Sequence, residues 1–318
     1  MMAGGNGILI CGGLLIDRYA LIDRYPARGG DGYILESFDV VGGCSVNMAK
    51  TIMNLGATPY IISFAGDDAW GKEVADFMEK ERLPADCVAR KSGNTGYCLV
   101  FLEPDGERTF LTRVGCEAEY SDSLITDAAE SACGVAAVTG YYLLDASSAG
   151  LIGRLKRFKQ RGGRIVFDPS PLVGKIRPDC LKGILSISDV ITPNTAEAEF
   201  IAAFEGDAAR EQWAFHRNER GAAVIITDGG AGGALYINGV KIPYSAVKTD
   251  VVDTTGAGDS FTGAIAYSLS NGIPLEKAIS LAAGAAAVAA SIKGPHGDFN
   301  ISRLPADARE IWKEYQTI

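Results

Sequence analysis

Short apolar runs of strand length alternate along the chain with longer segments in which apolar residues recur every three or four positions. The runs ILICGG near the start, TPYIISFAG at 58–66, VAAVTGYYLL at 135–144, RIVFDPSP at 164–171, DVITPN at 189–194 and AAVIITDGG at 222–230 read as strands. Between them the spacing predicts helices over 44–55, closed by Gly56, and over 70–81, 147–161 and 195–204. Strand and helix in such repeated succession imply an α/β fold, a mostly parallel sheet covered on both faces. Ligands of such sheets gather beyond the carboxyl ends of the strands, where TDGG, TPN and DPSP all fall.

Two segments break the alternation. Residues 14–41 and 94–114 alternate in strand fashion without an intervening helix, and PDGE at 104–107 is a hairpin-turn signal. They predict a small β appendage inserted in one α/β domain spanning 1–318, serving as a lid or a dimer surface; edge strands of the main sheet are the alternative. An exposed sheet of this kind needs covering, and a second copy of the chain is one way to cover it. The pentapeptide LIDRY occurs at 15–19 and again at 21–25. In one extended strand this repeat puts Asp17 and Asp23 on the same face about 20 Å apart, so only one of them can serve a given ligand.

Composition narrows the class. With 318 residues, 47% hydrophobic and 22% charged, the chain has the make-up of an ordinary globular protein with a sizeable core. Its longest apolar stretch, Ile279 to Ile292, falls short of the ~18 residues of a membrane span, and the N-terminus lacks a basic region ahead of a long apolar core. No membrane partner is expected. Seven scattered cysteines without a CxxC pair favour reduced thiols and a cytoplasmic location. The two histidines, His216 and His296, leave little material for a His-rich metal site or a Ser/His triad. A net charge of −9 argues against nucleic acid as a partner.

The sharpest chemistry lies in DTTGAGDSF at 253–261. Gly256 and Gly258 permit a turn whose successive amides converge on one anion, and the following helix adds its unpaired N–H groups and dipole. Asp259 sits at the same helix start. A carboxylate beside a bound phosphate is unfavourable unless it has work to do, and taking a proton from an attacking hydroxyl is such work. The stretch therefore reads as a phosphoryl-transfer site; an ordinary Asp cap after a glycine turn is the plainer reading.

GGCSVNMA at 42–49, TPNTAE at 192–197, TDGGAG at 227–232 and DTTGAGDSFTGA at 253–264, in that order, resemble four signatures of the ribokinase family, also called the PfkB carbohydrate kinases. The resemblance covers nearly the whole chain. It implies a ribokinase-like, three-layer, doubly wound and mostly parallel sheet with a small β lid. It implies an ATP- and Mg²⁺-dependent kinase that phosphorylates the primary hydroxyl of a sugar, in the manner of a fructokinase or ribokinase. Asp259 would be the general base, with the amides of Gly256, Ala257 and Gly258 as the anion hole. Gly42, Gly43 and Asn47 would hold the sugar with Asp17, which matches the family's early aspartate better than Asp23. Asn194 and Glu197, three apart at a helix start, would hold Mg²⁺ through water, with a capping pair as the alternative and Asp168 as a weaker neighbour. Thr227, Gly229 and Gly232 would line the nucleotide. Asp253 and Thr255 match the place of a monovalent cation, so potassium dependence is a further expectation. The ERTF stretch, Glu107 to Phe110, is reminiscent of fructokinase-like members.

Two other functions compete. A nucleoside kinase of the same superfamily needs an aromatic slot, for which Tyr19, Tyr33, Tyr97, Phe101 and Phe110 are available. A non-catalytic sugar- or nucleotide-binding protein would keep the fold but has no need of Asp259. A Rossmann dehydrogenase is poorly supported, because GGLLID at 12–17 lacks the GxGxxG spacing.

Overall fold

The computed structural model describes residues 5–104, 107–292, 294 and 299–316, so the tip of the PDGE turn at 105–106 lies outside the described residues, as does His296. β1 (Gly7–Cys11) leads into β2 (Leu15–Ile22), β3 (Ile34–Gly42), α1 (Cys44–Leu55) and β4 (Thr58–Gly66). α2 (Ala69–Lys80), β5 (Val88–Lys91), β6 (Tyr97–Leu102), β7 (Arg108–Arg113) and α3 (Asp127–Ala132) follow. Then come β8 (Cys133–Thr139), α4 (Ser148–Gln160), β9 (Arg164–Asp168), α5 (Pro178–Ile187), β10 (Val190–Ile191), α6 (Thr195–Glu205) and α7 (Arg210–Glu219). β11 (Ala223–Thr227), β12 (Gly233–Ile237), β13 (Val240–Tyr244), α8 (Ala257–Ser270), α9 (Leu275–Ala290) and α10 (Ala306–Tyr315) complete the order.

Nine strands form one sheet in the order β13-β12-β11-β10-β9-β8-β1-β4-β5. From β5 to β11 every pairing is parallel, and the β11-β12-β13 edge is antiparallel. Successive residues of the central strands enter opposite cores: Ile8 and Ile10 one, Leu9 and Cys11 the other, with the same division at Val135 and Ala137 against Ala136 and Val138. This two-sided burial makes the strands read as continuous apolar runs. Chain direction across the sheet reverses beside β1, whose neighbours are β4 and β8. Such a reversal opens a crevice at the carboxyl ends of the strands.

The segments 14–41 and 94–114 pair with each other in a separate four-stranded sheet, β3-β2-β6-β7, rather than extending the main one. Its own core is small: Tyr19, Cys98 and Val100 are buried, with Tyr19 stacked on Phe38 at 4.9 Å between ring centroids. The LIDRY repeat resolves here. Asp17 lies within β2, whereas the strand ends at Ile22 after a register shift, and Asp23 folds into a turn in which its Oδ1 accepts from the amides of Arg24 and Tyr33, each at 2.9 Å.

Several strands end sooner than the apolar runs suggest. The run at 135–144 stops pairing at Thr139 and turns into a short 3-10 segment, Gly140–Leu143. A Cβ on Gly140 would stand 1.7 Å from the carbonyl oxygen of Pro169, so this turn accepts no side chain. β9 likewise stops at Asp168, short of the predicted 171, and β10 is confined to two residues.

α8 is the element on which the site is built. Every residue from Ser260 to Leu269 is buried, which explains the absence of a polar face in its sequence. It packs between α9 and α1, and at Gly263 a Cβ would stand 3.1 Å from the carbonyl oxygen and 3.3 Å from the Cα of Met48. Gly263→Val is therefore expected to push α1 and α8 apart and to cost about 1–3 kcal/mol in urea unfolding. Unchanged stability would show that the crossing tolerates a side chain.

Candidate active site

The loop into α8 is shaped by its own backbone. Asp253 Oδ1 accepts from the amide of Thr255 at 2.7 Å, and Gly256, with φ of 77°, caps the helix in a left-handed conformation that glycine adopts without strain. A Cβ on Gly258 would meet nothing within 4 Å, so the first turn opens onto free space. One of the three expected anion-hole amides is otherwise engaged. That of Ala257 donates to the carbonyl of Thr254 at 3.2 Å, because the tight turn before the helix closes on it.

Asp259 and Asn47, 212 residues apart in sequence, meet at the α1/α8 crossing, where Asn47 Nδ2 donates to Asp259 Oδ2 at 2.7 Å. The Cys44 thiol also hydrogen-bonds this carboxylate. Burial pushes the Asp259 pKa up, and the donors Asn47 and Cys44 temper the rise. The Cys44 thiol is itself driven far up, by burial and then by Asp259 and Asp168, so it stays protonated. Asn47 is 5% exposed, yet its Oδ1 has no hydrogen-bond partner among the described residues. A buried carbonyl oxygen in that condition calls for a donor from outside the chain.

Asp17 joins this group from β2. Its Oδ2 accepts from the amide of Gly43 at 3.4 Å, and a Cβ on Gly42 would fall 2.0 Å from the same oxygen. Gly43, with φ of 97°, turns β3 directly into α1. Gly42, Gly43, Asn47, Asp17 and Asp259 thus form one wall. Burial pushes Asp17 up to about 7, tempered by the Gly43 amide and reinforced by the charge on Asp259.

Along the strand ends lie two further carboxylates. Asp168 accepts from Thr262 Oγ1 at 3.0 Å and from the Ser170 amide at 3.2 Å. It is held well above the usual carboxylate range, first by burial and then by Asp259 and Glu197. Asn194 and Glu197 form a complete capping box on α6: the Asn194 amide and Nδ2 donate to Glu197 at 2.9 and 2.8 Å, and the Glu197 amide returns a bond to Asn194 Oδ1 at 2.9 Å. Burial raises Glu197, tempered by the Asn194 amide. Among the described residues no three His, Cys, Asp or Glu side chains converge to hold a metal by themselves. Two or three mutually repelling carboxylates without a closed cage fit Mg²⁺, which keeps its waters and shares its coordination with phosphate.

Thr227 is bridged to Asn194 across β10 and β11, and its amide donates to the carbonyl of Pro193 at 2.9 Å. Gly229 faces open space. Gly232, with φ of 95°, has the backbone of Tyr244 where a Cβ would be, 2.2 Å from its carbonyl oxygen, so its glycine is required by the β12-β13 hairpin.

At this edge sequence reasoning misses Tyr141 and reaches Arg108 only as part of the ERTF stretch. Tyr141, 39% exposed, lies close to Asp259, Asp168 and Glu197, and burial of its hydroxyl end together with their charges raises its pKa. The signal was Gly140, which breaks the apolar run one residue earlier. Arg108 of β7 reaches from the small sheet to the loop before α8, with Nη2 2.6 Å from Asp253 Oδ1 and Nη1 donating to Thr254 Oγ1 at 2.9 Å. Asp253 Oδ2 accepts from the amide of Gly294 at 3.2 Å. Both its oxygens are thus engaged, Oδ1 by the Arg108 guanidinium and the Thr255 amide, Oδ2 by the Gly294 amide. Thr255 contributes only an amide to this arrangement, its Oγ1 being buried without a partner among the described residues.

A doubly wound sheet, a small second sheet tied to a glycine-rich helix start, and an aspartate at that start define an enzyme that moves a phosphoryl group onto a hydroxyl. The family model described as pfkB family carbohydrate kinase matches residues 29–300, and the chain belongs to that family. The uncharacterized sugar kinase YegV of Escherichia coli (strain K12) is 29% identical over 282 residues, 87% of this chain and 86% of that protein. The ribokinase of Thermotoga maritima superposes with a TM-score of 0.79 at 26% identity, covering 98% of this chain and 99% of that one. The ribokinase of Arabidopsis thaliana complexed with ribose and ATP gives 0.77 at 24% identity, with 99% of each chain covered, a likeness of fold. Among the described residues no helix is long and apolar enough to cross a membrane, and all seven cysteines are free thiols.

Because Asp17 is raised in the folded chain from 3.8 to about 7, the folded state keeps a proton that the unfolded state releases. The stability linked to that proton is full below about pH 4 and is lost as the pH rises towards about 7. Asp17→Asn is expected to raise the thermal midpoint at about pH 8 and to change it little near about pH 4. Melts across this range check the difference, and an equal shift at both ends would contradict it.

Proposed function

We propose that the protein transfers the γ-phosphate of ATP to a primary hydroxyl of a small sugar. The observation that carries this reading is the Asn47–Asp259 contact at the open start of α8, with Asn47 Oδ1 left over for a ligand. Asp17, the Gly42-Gly43 backbone and Asn47 hold the sugar hydroxyls. Asp259 takes the proton from the attacking oxygen, and its burial-raised pKa suits it to that task. The first-turn amides at Gly256 and Gly258 receive the phosphate as its charge shifts, and Thr227 and Gly229 face the nucleotide. Asp168, Glu197 and, through the capping box, Asn194 are the groups that would hold Mg²⁺ by way of water. That ion, when bound, screens phosphate charge during transfer. The chemistry is chiefly positioning and electrostatic stabilisation, so fixed amides and fixed carboxylates are the parts it needs.

The test is ADP release with Mg-ATP across fructose, ribose, ketodeoxygluconate, phosphorylated hexoses, adenosine and pseudouridine. A sugar-dependent signal is expected, and Asp259→Asn is expected to retain ATP binding while losing about 10²- to 10⁴-fold in turnover. Near-normal turnover in that variant would refute the assignment of the base. A response to nucleosides alone would move the substrate class, and ATP binding without turnover on any acceptor would favour a binding protein.

The same reading extends to a second copy of the chain. Tyr33, Ile34 and Leu35 at one edge of the small sheet and Phe110, Leu111 and Val114 at the other are exposed apolar side chains that a homodimer through the lid would cover. Light scattering is expected to give twice the monomer mass, and Leu35→Glu with Leu111→Glu is expected to halve it. A wild-type monomer would rule the interface out.

A further inference from the structure

We infer that Arg108 is a built-in counter-cation for the loop that leads into α8, so that this chain orders its phosphate site without an added monovalent ion and ties that order to the position of the lid. The inference rests on the kinase reading for its consequence in catalysis, but its physical content is the ion pair itself. The Asp253 and Arg108 side chains are 5% and 11% exposed, and the pair joins β7 of the small sheet to the loop before α8.

Among the described residues the Asp253 carboxylate is fully occupied. Asp253 Oδ1 takes both the Arg108 guanidinium and the Thr255 amide, and Oδ2 takes the Gly294 amide. A metal ion at this carboxylate would lie within a few ångströms of a fixed positive charge, where like charges repel strongly and little water intervenes. Tyr19 closes the same space from β2, its hydroxyl near enough to Asp17, Asp253 and Arg108 to feel their charges. The second arm of the guanidinium holds Thr254, whose carbonyl receives the Ala257 amide, so one side chain fixes the turn on which the helix start depends. Arg108 Nε is buried and has no partner among the described residues.

A buried ion pair of this kind is a weak source of net stability, but losing one partner is costly because the other charge is left alone in a poor solvent. In Arg108→Met, Asp253 would be such a charge, and a small cation would then be the simplest remedy. Arg108 is accordingly a positioning residue whose loss is repaired by an ion, which a merely structural side chain would not allow.

Thermal unfolding of the full chain in potassium chloride and in tetramethylammonium chloride at matched ionic strength tests this without reference to turnover. The wild-type midpoint is expected to be the same in both salts. Arg108→Met is expected to melt lower, and to gain about 2 °C or more in potassium relative to tetramethylammonium. A wild-type midpoint that rises in potassium overturns the proposal, and so does an Arg108→Met variant indifferent to the cation. Should that variant not fold, Arg108→Lys keeps the charge and is expected to fold and to ignore potassium; a rise there overturns the proposal as well. Once a substrate is in hand, wild-type transfer is expected to agree within about twofold in the two salts; activation by potassium overturns the proposal, whereas no transfer on any acceptor bears on the kinase reading rather than on the ion pair.

Discussion

The distance between two helix backbones governs this molecule. α8 can run against α1 only because Gly263 places no side chain against Met48, and at that separation Asn47 reaches Asp259. The two residues belong to motifs at opposite ends of the chain, and neither has the geometry of a site without the other. Small residues continue the close packing beyond this point, since α9 contributes a nearly unbroken series of alanines to the same core. A tight interior of this kind transmits misplacement directly to the carboxylate, because well-packed cores shift rather than absorb a change in volume.

Charge is arranged in two contrasting ways at the strand ends. Burial raises the proton affinities of Asp17, Asp168, Glu197 and Asp259, and the charge of Asp259 adds to the rise at Asp17 and, with Glu197, at Asp168. These groups favour whatever brings positive charge or hydrogen-bond donors among them. Asp253, a few residues along the loop, is satisfied in full by a guanidinium and two amides. One cluster is thus under electrostatic tension that a ligand relieves, and the other is a settled joint that keeps the loop in place.

Much of this could be read from the residues, for identifiable reasons. α1 and its end at Gly56 follow from apolar spacing and one left-handed glycine, both local properties. The parallel sheet follows from apolar runs buried on two sides. Where runs continue past the sheet, at 135–144 and 164–171, hydrophobicity alone cannot distinguish a strand from a buried turn, and the closeness of Gly140 to Pro169 is a tertiary fact. Asp17 and Asp23 share the LIDRY pentapeptide, and the end of β2 between them adds a structural distinction to the better family match of Asp17. Asn194 and Glu197 satisfy the capping pattern that their spacing allows, while their place beside Asp168 depends on strand order. Arg108 falls in the ERTF stretch, but its pairing with Asp253 is not a local property, being set by how the small sheet stands over the loop before α8.

The cluster private to the small sheet is only Tyr19, Cys98 and Val100, while Ile16 and Val41 join the main core, and part of what anchors the sheet is the reach of Arg108 to the loop before α8. Elements with so little private core open as a unit while the rest of a protein stays folded. Backbone amides of the small sheet should then exchange with solvent deuterium together and well before those of the central parallel strands. That exchange would give the opening a free energy of its own, separable from the stability of the whole chain.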